Sequence, residues 1–290
     1  MKKVRFFRKE SHSAPENMAI DETLFRSIIK KQTDGVLRFY EWCPYALSFG
    51  LFQHPENILV EGQSKYCGID TVRRSTGGKM VFHADEITFS AGLPLAVIKK
   101  RDPDAKNFLE FFKVLITPFV LGLQKAGIPA SFSVSQPKGN SERIHCYSAP
   151  AAHSIMVDGK KLVGAAGIIK ADVFFVHGSI PRKIVLPPDN LFKKKPDAFL
   201  KEKIACLDNF LPEEKQGCLE SIISESFSDF FDATLELGEL SKIESETAEI
   251  FSREKYSDLF WNRKDLSNLE NLCTEKSYQS QKIRALPQGL

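Results

Sequence analysis

One long amphipathic segment, DAKNFLEFFKVLITPFVLGLQKA at 104–126, stands between two clusters of strand-like segments, and that order leaves few folds open. Its apolar residues recur at near-helical spacing, and Gly127 follows as a stop signal. The longest apolar run, VLITPFVLGL at 114–123, is interrupted by Pro118 and is far below a membrane span of about 20 residues. Phe108, Phe111, Phe112 and Phe119 are read as core.

Ahead of this helix, residues 35–95 read as β-rich. GVLRFYEW and YALSFGLF are short, aromatic and β-branched, with Pro44 between them. VRRSTGGKMVFH places a Gly-Gly turn between two extended pieces, and ITFSAGLPL follows as another strand. Near the N-terminus, KVRFFRKES reads as a strand leading into a helix at PENMAIDETLFRSIIKK, where Pro15 and early acidic residues mark the start. Beyond Gly127, strands resume in SFSVS, HSIMVDGKKLVGAAGIIK and DVFFVHGSIPRKI, with Asp158-Gly159 as a hairpin turn. From about 190 the pattern turns helical: Pro212 opens one helix, and Ser241-Lys-Ile-Glu244 is a capping box for another. Strand clusters around a long helix, followed by a helical end, predict an α+β fold built on a mixed sheet. Its divisions are a core over 1–190, a helical segment of the same domain over 191–262, and a polar tail over 263–290.

Composition excludes several functions. The net charge of +3 is too small to imply a nucleic-acid partner. Six cysteines lie scattered without CxxC spacing, which argues against a disulfide framework or a metal site and suits a reducing, cytoplasmic setting. MKKVRFF is basic but lacks the apolar stretch of a signal peptide, so a soluble protein is expected.

The densest motif is VRRSTGGKMVFHADEITFS at 72–90. Two glycines let backbone approach a bound group, and two arginines can hold a phosphate or carboxylate with paired donors. On the residues alone, a basic hairpin with an ordinary turn is as good a reading. The pattern is neither GxGxxG nor a P-loop, so no nucleotide motif supports a nucleotide site.

RFYEWCPYALSFGLFQ, VRRSTGGKMVFHADEITFS and GKKLVGAAGIIKADVFFVHGSI resemble, in order and position, the lipoate–protein ligase and octanoyltransferase superfamily; ENMAIDETLF resembles its first helix. The resemblance spans roughly 3–262 and implies a mixed-sheet fold related to the biotin-ligase catalytic domain. It also implies attachment of octanoyl or lipoyl groups to a lysine on a small carrier domain. The ligase branch typically carries GGG followed by H-x-x-GN. Here Lys79 replaces the third glycine and HADEITFS follows, which resembles the octanoyltransferase branch.

That resemblance implies an acyl-accepting role for Cys146, in SERIHCYSAP, where the cysteine-dependent octanoyltransferases carry their nucleophile. From chemistry alone an isolated cysteine is more often a small buried hydrophobe. The resemblance also implies a lysine that contacts the acyl carbonyl, and Lys170 is the candidate. It lies seven residues before His177, where relatives have six, so Ala171 holds the expected position. A one-residue slip reverses the face of a strand, so either a bulge restores Lys170, or another residue such as Lys79 substitutes, or activity is impaired. Arg73, Arg74, Ser75, Thr76, Gly77, Gly78 and Lys79 are implied to shape the pocket mouth. His83, Gly164, Ala165, Ala166, His177 and Gly178 are implied to line the pocket, the small residues beside an eight-carbon chain. As isolated strand residues, both histidines read first as hydrogen-bonded structural groups.

The implied partners are octanoyl-acyl carrier protein as donor, and the glycine-cleavage H protein or a lipoyl domain of a 2-oxoacid dehydrogenase as acceptor. No cofactor is expected for such a transferase; ATP and Mg²⁺ belong only to the ligase alternative. Two further alternatives are an amidotransferase moving the acyl group between carrier proteins and a non-catalytic carrier-binding homologue.

Overall fold

The computed structural model describes residues 2–133, 153–194 and 200–263. Strand β1 (Lys2–His12) runs into helix α1 (Ala14–Ile29), which starts where Ser13 and Glu16 form a capping box. Then follow β2 (Val36–Trp42), β3 (Ala46–Phe49), β4 (Asp70–Arg73), β5 (Val81–His83) and β6 (Glu86–Pro94). The long helix α2 (Phe108–Lys125) begins at an Asn107–Glu110 capping box and ends before Gly127, whose φ of +91° suits glycine. After it come β7 (Ser131–Phe132), β8 (Ile155–Val157), β9 (Lys160–Lys170) and β10 (Val173–Pro181). The chain continues through α3 (Leu219–Phe231), β11 (Ala233–Leu237) and α4 (Lys242–Phe251).

The strands form an eight-stranded sheet in the order β11-β1-β2-β6-β10-β9-β8-β7 and a three-stranded sheet in the order β4-β3-β5. β1 pairs in parallel with both β2 and β11, whereas β2–β6, β6–β10 and β10–β9 are antiparallel. The α+β class and the mixed sheet therefore hold. The helical end does not hold throughout, because β11 interrupts it. Asp232 takes a left-handed turn at φ 48° and sends the chain back along the edge of β1.

Period-2 alternation splits the large sheet into two faces. On β10, Phe174 and Val176 join the core beneath α2 and α3, while Val173 and Phe175 pack toward α1. Phe111, Phe112 and Phe119 belong to the first core, but Phe108 at the helix start is 40% exposed. Among the described residues, no helix is long and apolar enough to cross a membrane.

Buried charge ties the C-terminal segment to α1. Glu22 accepts from Lys255 Nζ at 2.5 Å and from the Tyr256 phenol at 2.6 Å, and Glu244 accepts from Arg5 and Ser27. Burial alone would raise Glu22, but the charges of Lys255 and Arg26 and the two hydrogen bonds outweigh it and hold the group at about 2. Glu244 is likewise held at about 2, chiefly by the Arg5 and Ser27 hydrogen bonds against its burial. A free glutamate titrates near 4.5, so the folded form binds fewer protons across this interval. The stabilisation is complete above about pH 4.5 and is lost as pH falls toward 2. For Glu22 it amounts to about 3 kcal/mol at most. Acid titration followed by tryptophan fluorescence of Trp261 is expected to show the C-terminal segment releasing in that window. The same transition in Glu22→Gln, unchanged in midpoint, would contradict the assignment.

Candidate active site

The end of β4, the turn after it, and strands β9 and β10 meet on the α1 side of the sheet around one cavity. It is a narrow cleft, with about 30 Å³ open to a water-sized molecule and a mouth open to solvent. Trp42, Met18 and Val81 give it apolar wall, and Gly164, Ala165 and Ala166 keep the β9 side low. Arg74, Gly78, Lys79, His83, His177 and Gly178 also line it.

Two buried carboxylates stand behind this wall, each reaching the turn through a histidine. Asp21 of α1 accepts from Arg38 Nη1, the Tyr40 hydroxyl and Ser90 Oγ, each at 2.8 Å, and from His177 Nδ1 at 3.4 Å. His177 Nε2 in turn accepts from the Thr76 hydroxyl at 2.6 Å. Burial opposes charge on Asp21, but the His177 hydrogen bond and the Arg38 charge outweigh it and hold the carboxyl below its ordinary value. Burial pushes His177 down more than Asp21 raises it, so the imidazole is neutral.

The second relay starts at Glu86, which accepts from His83 Nδ1 at 2.5 Å, from Thr88 Oγ1 at 2.7 Å and from Ser179 Oγ. His83 Nε2 bonds Ser48 Oγ at 2.6 Å, and Arg74 Nη1 donates to that same oxygen at 2.7 Å. Arg74 Nη2 then donates to the carbonyls of Gly77 at 3.1 Å and Lys79 at 3.0 Å. His83 also stacks on Trp42 with centroids 4.0 Å apart. Both ring nitrogens of each histidine are thus committed to partners that fix the turn. The geometry gives His83 and His177 a positioning part rather than that of a free base.

Neighbouring Arg73 and Arg74 face opposite ways. Arg73 is fully buried and donates to the carbonyls of Leu51 at 2.5 Å and Gln53 at 2.7 Å, so it braces a loop rather than lining the cavity. Ser75 bonds the Tyr256 phenol, behind the turn. Gly78 has φ +89°, and a Cβ on Gly50 would come within 2.0 Å of the Gly78 carbonyl oxygen; two backbones touch where no side chain fits. Gly178 has a separate reason: a Cβ there would lie 2.5 Å from the Phe89 ring, itself stacked on Phe119.

β9 and β10 pair without interruption from Gly164↔Ser179 through Ala166↔His177 to Lys170↔Val173. No bulge therefore shifts Lys170. It shares the face of Ala166 but lies four residues farther along, about 13 Å at strand rise, and is exposed beside the Ala171-Asp172 turn. The structure does not bring Lys170 to the cavity, whereas the alternative, Lys79, is in its wall.

Sequence reading passed over Lys161, which is 3% exposed. The β8–β9 register slips between Ile155 and Met156, so Leu162 and Val163 both turn into the core and Lys161 is drawn inward. The apolar pair after Lys160-Lys161 was the available signal. Asp21 was also legible in principle, since Met18, Asp21 and Phe25 share helical spacing on the buried side of α1.

Cys146 lies outside the described residues, as do Cys273 and most of the 263–290 tail. Of the other cysteines, Cys43 and Cys218 are exposed and Cys67 is half-buried. Cys206 is buried, which raises its pKa, and its thiol bonds Asn209.

Comparison with known proteins places this architecture. Octanoyltransferase LipM of Carboxydothermus hydrogenoformans is 30% identical over 274 residues, covering 90% of this chain and 98% of that one. Octanoyltransferase LipM of Exiguobacterium sp. is 36% identical over a shorter stretch, 61% of this chain and 65% of that protein. A crystal structure of lipoate-protein ligase A bound with ATP superposes with a TM-score of 0.71 at 22% identity, over 91% of this chain and all of that one. A bi-partite lipoate protein ligase from Thermoplasma acidophilum, described with its E2 lipoyl domain, gives 0.69 at 20% identity over 92% and 98% of the two chains. These two structures share the fold. Residues 13–215 match the lipoyl protein ligase A/B catalytic domain, the family to which this chain belongs.

Proposed function

We propose that the protein is an octanoyltransferase of protein lipoylation. It takes the octanoyl group from acyl carrier protein as a thioester on Cys146 and passes it to a lysine ε-amine. The acceptor is the glycine-cleavage H protein or a lipoyl domain of a 2-oxoacid dehydrogenase. The observation that carries this reading is the 30% identity with an octanoyltransferase over 90% of this chain and 98% of that one, joined to a family match that contains the whole cavity.

Thioester exchange suits the chemistry. The Cys146 thiolate attacks the donor carbonyl, the phosphopantetheine thiolate leaves and takes a proton, and the acyl-enzyme remains activated. The acceptor amine then attacks, the cysteine thiolate leaves, and an amide forms without ATP. The small residues of β9 keep the wall beside Trp42 low, as an alkyl chain lying there would require. Lys161, buried three residues before the cavity-lining Gly164, takes the carbonyl-polarising role that the family resemblance assigned to Lys170.

Intact-mass measurement after mixing with octanoyl-acyl carrier protein, without ATP, tests the reading. A hydroxylamine-labile octanoyl adduct is expected, discharged by apo-H protein, slowed in Lys161→Ala and unchanged in Lys170→Ala. An adduct formed only from octanoylated H protein would make the enzyme an amidotransferase. Pyrophosphate release with lipoate and ATP, and no adduct, would make it a ligase. Carrier binding with neither reaction would leave a non-catalytic binder.

A further inference from the structure

Residues beyond the family match reach back to the cavity mouth through one arginine. After α4 the helix widens into a π-helical turn, Ser252–Tyr256, which aims Lys255 and Tyr256 together at Glu22. The chain then enters a short helix, Leu259–Arg263, and lands on β4. Trp261 Nε1 donates to the Arg73 carbonyl at 2.9 Å, and the Arg73 backbone N–H donates to Asn262 Oδ1 at 2.8 Å. Arg73 Nη2 donates to the Asn262 carbonyl at 3.3 Å. Asn262 is itself held, its Nδ2 donating to the carbonyls of Tyr256 at 2.7 Å and Asp258 at 3.0 Å.

What Arg73 does with the rest of its guanidinium gives this contact its meaning. Nη1 holds the carbonyls on both sides of Phe52, in the loop 50–53. That loop lies on the glycine turn: Leu51 N donates to the Thr76 carbonyl at 2.8 Å, and Gly50 packs against Gly77 and Gly78. Thr76 holds His177, and Gly78 lines the cavity. Asn262 and Trp261 therefore fix the backbone at Arg73, Arg73 fixes loop 50–53, and that loop fixes the turn at the mouth.

We propose that Asn262 and Trp261 are positioning residues for the acyl site, acting through Arg73 on the 50–53 loop and the 74–79 turn. Neither touches the cavity. Their role is to complete the edge of β4 with side-chain hydrogen bonds where, among the described residues, no further strand pairs, so that a segment outside the family match sets the shape of the mouth. The kinetic part of this proposal rests on the octanoyl-transfer reading; the structural part does not.

Two measurements on full-length Asn262→Ala test it. Hydrogen exchange is expected to speed up in peptides covering 50–53 and 74–79, with β6 and β10 unchanged. Adduct formation from octanoyl-acyl carrier protein is expected to slow about tenfold at saturating donor, the scale of one buried hydrogen bond lost where geometry matters. Trp261→Phe, which keeps an aromatic ring but removes the donor to the Arg73 carbonyl, should shift both in the same direction and by less. Unchanged exchange at the two loops, or adduct formation falling only with the folded fraction, would overturn the proposal. A wild type that forms no adduct while the loops still loosen in Asn262→Ala would overturn the octanoyl-transfer reading and leave the structural part standing.

Discussion

On the proposed thioester route, Cys146→Ser is expected to leave no octanoyl adduct and to lower transfer by at least about a thousandfold, since covalent catalysis would disappear and only binding would remain. On that proposed route serine is a poor substitute. A hydroxyl needs a base to take its proton, and the histidines of the wall are engaged. His177 is held between Asp21 and Thr76, and His83 between Glu86 and Ser48. A thiol ionises far more readily and needs less help. Intact mass and single-turnover transfer to apo-H protein check the result. A hydroxylamine-labile adduct surviving on the serine variant would move the nucleophile to another thiol, with exposed Cys43 and Cys218 the first to replace.

Asp21→Ala is expected to be among the most destabilising single changes available. The carboxylate is 3% exposed and has four partners, of which Arg38 is a guanidinium equally buried. Removing one member of a buried pair costs about 3–5 kcal/mol, because the remaining charge has neither water nor counter-ion. For a chain of this size that corresponds to a fall in Tm of about 10 °C. Asn17 still accepts from Arg38 Nη2 at 2.7 Å, which limits the loss without neutralising the charge. Asp21→Asn keeps the volume and one acceptor and should fall less. Thermal unfolding by circular dichroism decides: an alanine variant melting within about a degree of wild type would mean that Asp21 does not anchor this network.

The residues that announced themselves in the sequence are those whose physics is local. Ser241 and Glu244 cap α4, Asp158-Gly159 turns the β8–β9 hairpin, and Gly127 ends α2. The RRSTGGK turn was legible as a place where backbone comes close, and it borders the cavity. What stayed hidden depends on distant partners or on geometry that composition does not mark. The Ala171-Asp172 turn puts two non-glycine residues at φ 47° and 58°, so no Asn-Gly signal marks the hairpin that carries Lys170 away. Lys161 is buried by a slip of register, which a two-residue period misreads. β11 is a five-residue strand whose identity comes from β1, at the other end of the chain. Asn262 offers no pattern at all, since its partner Arg73 is 189 positions away.

The parallel register of Lys2 with Ala233 has a consequence for synthesis on the ribosome. β1 is made early and can pair with β2 once α1 has crossed back. Its outer edge then waits until Ala233–Leu237 has emerged as β11 to cover it. During that interval the nascent sheet presents an open row of backbone donors and acceptors, the form of surface that recruits a second strand from any neighbour. The basic residues Lys3, Arg5, Arg8 and Lys9 lie on that waiting strand, the kind of side chain that discourages edge-to-edge pairing.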